Sequence, residues 1–305
     1  MSHCMKRRLL YASSQTYQPE MEVHRREVGW LERPIVVRRE AVIGHRTIDL
    51  ALVGRVAEGV VVAFRGTLPP FFGGRHDGWE VLLDWLNDSL SVCVEAPEYG
   101  GGVHLGFAHS ARRLWEDVDG TPGVRSAIQI MLDRGASRHL FVTGHSKGGA
   151  VANLTAYRAA QLDEWRDMPV SVATIAAARA GNAAFARAYA ETRIACLRYE
   201  IPSDLVPHLP PGPHTPHWVN VVVRQLAPRL AATDYHAVGV RVSNGTTHKR
   251  WPGSRRRGIG GLLGRRGLGL DMLFPTVLSA HAICPKSGYD TLICTGEGDC
   301  THGAR

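Results

Sequence analysis

Residues 139–162, HLFVTGHSKGGAVANLTAYRAAQL, constrain the fold more than any other stretch of this chain. A short apolar run with β character stops at Gly144, a serine follows two residues later, and an alanine-rich segment with helical spacing begins at once. Gly144-His145-Ser146-Lys147-Gly148 fits G-x-S-x-G, a weak pattern alone that becomes informative between a strand and a helix. A sharp strand-to-helix turn holds the serine Oγ above a sheet edge, and glycine on either side lets the two backbones pass where a Cβ would clash. A phosphate-binding P-loop is excluded, because Lys147 precedes Gly148 and no Ser or Thr follows a Gly-Lys pair.

The flanking pattern suits such a turn. IDLALVGRV (48–56) and GVVVAFRGT (59–67) read as strands of a hairpin joined at Ala57-Glu58. HLFVTG (139–144), VSVATIAAA (170–178), IACLRYEI (194–201), VNVVVRQL (219–226) and AVGVRVSNG (237–245) read as further strands. Helices are expected over 106–118, 124–133, 148–165 and 182–192, the last capped by Asn182. This alternation predicts an α/β fold, a mostly parallel sheet with helices on both faces.

The 305 residues, 44% hydrophobic and 21% charged, suffice for one large domain with its own core. No apolar run approaches the roughly 20 residues of a membrane helix, and LLYA is too short for the apolar region of a secretory signal. The six cysteines are thinly spread and lack a paired C-x-x-C, so reduced thiols in a cytoplasmic protein are expected. Cys284, Cys294, Cys300 and His302 are read as ordinary side chains rather than a metal site. Of the net charge of +8, Lys249, Arg250, Arg255, Arg256, Arg257, Arg265 and Arg266 supply +7, so the rest of the chain is near neutral. The Gly/Arg-rich insert 248–270 therefore carries the basic character. It reads as a solvated loop, with attachment of 249–266 to an anionic membrane surface as the functional alternative. Trp251 is its one aromatic residue, so no base-stacking platform and no nucleic-acid partner are expected. Residues 68–83, rich in Pro, Gly and aromatics, suit a lid loop.

A serine hydroxyl is a poor nucleophile until a base removes its proton, and that base needs an acid to orient it. In this kind of fold the acid and then the histidine follow the serine along the chain. Asp204 in IPSDLVPHLPP lies just past a strand, and His281 in LSAHAICPKSGYD lies past the last one. His236, His214, His217 and His302 remain open as alternatives to His281. His104 and His145 are read as structural, hydrogen bonding around the turn, and Arg65 as an ion-pair partner of Asp84 or Asp88.

Beyond the serine motif, five segments in order resemble the class 3 (fungal-type) lipases of the α/β-hydrolase superfamily. They are VVVAFRGT (60–67), DWLND (84–88), VHLGF (103–107), TIAAARAGNAAF (174–185) and DLVPHLPP (204–211), the fourth with Ala176 and Ala178 where the family has Gly and Pro. The resemblance covers roughly residues 45–290. It implies a serine hydrolase of carboxylic esters, plausibly glycerolipids, without metal or cofactor, with Ser146 as nucleophile, Asp204 as acid and His281 as base. Thr67 and Lys147 would supply the oxyanion-hole N–H groups. A phospholipase or thioesterase using the same triad, or a non-catalytic binding fold, is the competing expectation. The family usually has an apolar residue at position 147. The Lys147 side chain is expected to be exposed on the first helical turn, with steering of an anionic substrate group as the alternative.

Overall fold

In a computed structural model, residues 1–20, 23–40, 47–67, 92–226, 233–243, 281, 283 and 288–294 are described. The chain opens with helices α1 (His3–Gln15) and α2 (Val23–Val28) and strands β1 (Ile35–Glu40), β2 (Thr47–Val56) and β3 (Gly59–Phe64). Strands β4 (Cys93–Ala96) and β5 (Gly101–His104) precede helices α3 (Leu105–Trp115) and α4 (Val124–Asp133). Then come β6 (Leu140–His145), α5 (Lys147–Ala160), β7 (Val170–Ile175), β8 (Gly181–Asn182), α6 (Ala183–Ala190) and β9 (Ala195–Tyr199). Helix α7 (His217–Leu226), β10 (Tyr235–His236), β11 (Val240–Val242) and α8 (Gly288–Cys294) complete the described elements.

The main sheet has the order β1-β2-β3-β6-β7-β9-β11. The β1-β2-β3 edge is antiparallel and every pair from β3 to β11 is parallel. A short antiparallel sheet, β10-β8-β5-β4, lies apart. Strand β3 shows why the central run is apolar throughout. Val60, Val62 and Phe64 join one core with α3, α4, α5 and α6, while Val61 and Ala63 join a second core with α1 and α8. With both faces covered, the period-two alternation of side chains produces no polar face.

The family-like segments acquire local roles here. Asn182 caps α6, accepting from Phe185 N–H at 3.0 Å, and also accepts from Gly102 N–H at 3.1 Å. His104 is buried, caps α3 and stacks on Phe107 at 3.9 Å. Ala176 keeps a left-handed φ of 51° where the family has glycine, a conformation costing an L-residue about 1–2 kcal/mol.

The helix expected over 148–165 spans only Lys147–Ala160, and three further expectations need correction. VNVVVRQL is not a strand but most of α7. Its β-branched residues favour extended chain, yet Val219 and Val223, four apart on one helical face, are the ones buried. The expected strand 237–245 shrinks to Val240–Val242 at the sheet edge, where Val240 is 66% exposed. Helix α3 stops three residues early, because Glu116 is extended and a turn bridging Val118 and Thr121 follows. The sequence reading also missed α1, which is N-capped by Ser2 (Met5 N–H to Oγ, 3.2 Å) and buries Met5, Leu9, Leu10 and Ala12. The Ser2 cap and the Met5–Leu9 spacing were the available signal. The lid segment 68–83, Asp84, Asp88 and the insert 248–270 lie outside the described residues.

Candidate active site

Ser146 ends β6 and opens α5 with φ 59° and ψ −130°, a backbone conformation rarely adopted by a residue with a side chain. The turn is held by Ser146 N–H donating to Ile175 O at 3.0 Å and by Ser146 O accepting from Gly149 N–H at 3.0 Å. A Cβ on Gly144 would lie 2.2 Å from Gly148 O, and one on Gly148 would lie 2.3 Å from Phe64 O. Strand β6, helix α5 and the end of β3 therefore converge more closely than side chains allow. Gly66 would place a Cβ 3.1 Å from Ser146 Cβ and 2.6 Å from His145 O. The turn that ends in Thr67 thus rests directly against the serine, and Lys147 starts the helix on its other side.

Asp204 follows β9 and is fully buried. Its carboxylate receives three donors. Val206 N–H reaches Oδ1 at 2.9 Å, His281 Nδ1 lies 2.9 Å from Oδ2 and 3.2 Å from Oδ1, and Tyr289 O–H reaches Oδ2 at 2.7 Å. Burial, and then the Asp204 charge, push the Tyr289 hydroxyl well above its ordinary pKa, so it stays a donor. Downstream of Asp204, Arg179 steadies the chain, with its N–H on Leu209 O at 2.8 Å and Nη1 on Thr215 Oγ1 at 2.7 Å. Tyr289 comes from α8 and also accepts from Ile201 N–H at 3.2 Å. The structure therefore joins the acid, its loop and the chain after His281 through one hydroxyl.

His281 is the histidine hydrogen bonded to Asp204, and its ring lies 4.5 Å from that of His145, the residue before the serine. His236 instead pairs with Asp234 at 2.9 Å and meets the His214 ring, while His217 is exposed at the start of α7. His302 lies outside the described residues. With Nδ1–H directed at the carboxylate, the neutral His281 ring keeps its Nε2 lone pair for a proton. Among the described residues, no group of three His, Cys, Asp or Glu side chains is placed to hold a metal ion.

The expectation for the Lys147 side chain is overturned. It is 7% exposed, and its Nζ donates to Asp49 Oδ1 at 2.8 Å. Arg113 of α3 grips Oδ2 of the same carboxylate with Nε at 2.9 Å and Nη2 at 2.6 Å. Burial alone would raise the Asp49 pKa; Lys147 and then Arg113 outweigh it and hold the group below the usual carboxylate value. A buried, neutralised ammonium cannot reach out to steer an anionic substrate. Position 147 is occupied by a lysine because β2 offers it an aspartate, a partner invisible from the local sequence.

This geometry places a strand-serine-helix turn, the turn after β3 that ends in Thr67 and an aspartate-histidine pair at one edge of a parallel sheet. A family model described as lipase (class 3) matches residues 61–214. The chain belongs to the class 3 lipases. It is 29% identical over 169 residues to lipase ZK262.3 of Caenorhabditis elegans, covering 55% of this chain and 42% of that protein. It is 32% identical over 137 residues to a lipase of Rhizomucor miehei, covering 44% of this chain and 36% of that protein. The matches thus span about two fifths of the length of these curated relatives. The fold is similar to that of a triacylglycerol lipase in which a serine protease triad forms the catalytic centre. The TM-score is 0.54 at 22% identity, covering 78% of this chain and 79% of that one. This class 3 lipase thus has the α/β-hydrolase fold.

Proposed function

We propose that this class 3 lipase hydrolyses carboxylic ester bonds, with glycerolipids as the substrate class, through a covalent acyl-enzyme. The observation that carries this reading is the Asp204–His281 pair at 2.9 Å, whose histidine ring lies 4.5 Å from that of the residue preceding Ser146. Ser146 Oγ attacks the ester carbonyl carbon while His281 Nε2 takes its proton. The resulting imidazolium faces the Asp204 carboxylate, which Val206 N–H and Tyr289 O–H hold in place. Negative charge on the carbonyl oxygen is received by the backbone N–H groups of Thr67 and Lys147, where losing one such donor typically costs about 3 kcal/mol of transition-state stabilisation. The intermediate collapses, the C–O bond breaks, and His281 returns the proton to the leaving alcohol. Water, deprotonated by His281, then attacks the acyl carbon and releases the acid and Ser146.

A fluorophosphonate probe tests this directly. Wild type should be labelled covalently at Ser146, and Ser146→Ala should not be labelled. Equal labelling of both, or none of folded wild type, would refute the assignment. We also propose that the basic segment 249–266 holds the enzyme to anionic lipid surfaces, supported by its charge density without acidic residues. Deleting 253–267 should then weaken binding to anionic vesicles and spare hydrolysis of a short soluble ester. Unchanged vesicle binding would count against it.

A further inference from the structure

His145 is buried between two partners that belong to distant parts of the chain. On one side its Nε2 lies 2.8 Å from the backbone carbonyl oxygen of His281. On the other its Nδ1 lies 2.7 Å from the Tyr17 hydroxyl, in the segment that follows α1. A carbonyl oxygen only accepts, so Nε2 must carry a proton. Burial, and then the neighbouring His281 ring, keep the His145 pKa well below the ordinary imidazole value, so Nδ1 has none. Tyr17 must therefore donate. The chain of bonds has one direction, from Tyr17 O–H to Nδ1 and from Nε2–H to the carbonyl of His281.

The Tyr17 hydroxyl has a second neighbour. A Cβ on Gly66 would lie 2.3 Å from it, so the hydroxyl rests against the turn that leads into Thr67. One phenol group thus touches that turn and, through one imidazole, the backbone of the histidine paired with Asp204. Asp204 fixes the His281 ring from its side chain; His145 fixes the same residue from its main chain.

We propose that Tyr17 and His145 are positioning residues, a relay in which the Tyr17 hydroxyl anchors Nδ1 of His145 so that its Nε2–H holds the His281 peptide in the orientation needed for proton transfer. This rests on His281 being the base, as proposed above. The opposite tautomer would aim the Nε2 lone pair at the carbonyl oxygen and lose the bond. A neutral His145 also keeps a second cation away from the imidazolium that forms on His281 during acyl transfer. The segment after α1 is thereby a part of the site although it precedes the residues that define the family match.

Tyr17→Phe keeps the ring and removes only the donor. With the 305-residue chain and a short soluble nitrophenyl ester, kcat should fall about 5- to 10-fold, the effect of one hydrogen bond, while KM stays within about a factor of two. Long-range nitrogen–proton correlation spectra should show His145 as the Nε2–H tautomer in both proteins, with the Nδ1 resonance shifted in Tyr17→Phe by the loss of its hydrogen bond. His145→Gln, whose carboxamide can both donate and accept, should retain more activity than His145→Leu. An unchanged kcat in Tyr17→Phe, an unchanged Nδ1 resonance, or a loss residing wholly in KM would each overturn the relay. The spectra read the Nδ1 hydrogen bond without turnover. A shifted Nδ1 resonance in a protein that the fluorophosphonate never labels would therefore reject the catalytic reading, and the positioning role with it. An unshifted Nδ1 resonance in an active enzyme would reject the relay alone.

Discussion

Asp49→Asn should destabilise the protein far more than its single atom change suggests, because it strands a cation beside Ser146. Lys147 Nζ and Asp49 Oδ1 are 2.8 Å apart, and the two side chains are 8% and 1% exposed. At an effective dielectric constant of about 20, two unit charges at that separation attract by about 6 kcal/mol. Desolvation of both ions opposes most of this, so the intact pair contributes little net stability. Removing one partner deletes the attraction and leaves the other's desolvation cost, for a loss of about 3–5 kcal/mol. Lys147→Met is milder. It keeps an unbranched stem of similar bulk, and Asp49 retains both bonds from Arg113, so about 1–2 kcal/mol is expected. The double variant removes both buried charges of the pair and should be more stable than Asp49→Asn alone. Urea unfolding of the four proteins, read as a double-mutant cycle, tests this. Additivity within about 0.5 kcal/mol, or a loss below 1 kcal/mol for Asp49→Asn, would refute the ion-pair argument. The backbone N–H of residue 147 survives the change to methionine, so hydrolysis of neutral and anionic esters should be affected alike.

Tyr289→Phe removes the hydroxyl bonded to Asp204 Oδ2 and to Ile201 N–H, and should lower kcat about tenfold with a lower melting temperature. An unchanged kcat would show that the other two donors suffice to hold the carboxylate. Stability should also fall in acid through buried histidines. Burial, reinforced by Lys147, depresses His104 to about 3, and burial, reinforced by Arg179, depresses His208 to about 4. Unfolded histidine takes up its proton near about 6.5. The unfolded state therefore binds more protons in between, and stability present above about 6.5 is lost as pH falls toward those folded values. Melting curves from pH 7 to 4 should show the slope, and His208→Gln should flatten it; parallel curves for the two proteins would contradict this.

Much of the site was legible because its parts are local patterns. The serine turn is declared by an apolar run, flanking glycines and a helix start within a dozen residues. Asp204 stands in a proline-rich loop directly after a strand, and its chain position relative to Ser146 follows from the order of the fold. Tyr17 was illegible, because 128 residues separate it from His145 and no local pattern marks it. α7 was misread because a β-branched run has the same composition in either state, and only the packing of Val219 and Val223 decides it.

By itself, then, the sequence determined the α/β alternation, the family and the turn that carries Ser146, since each depends on neighbours within a few residues or on motif order. Tertiary structure alone paired His281 with Asp204, brought Tyr289 to the same carboxylate, buried Lys147 against Asp49 and seated Tyr17 behind His145. The physical reason is common to all four. A polar group taken out of water must find its partner inside the fold, and chain closure brings together partners whose separation in sequence carries no signal.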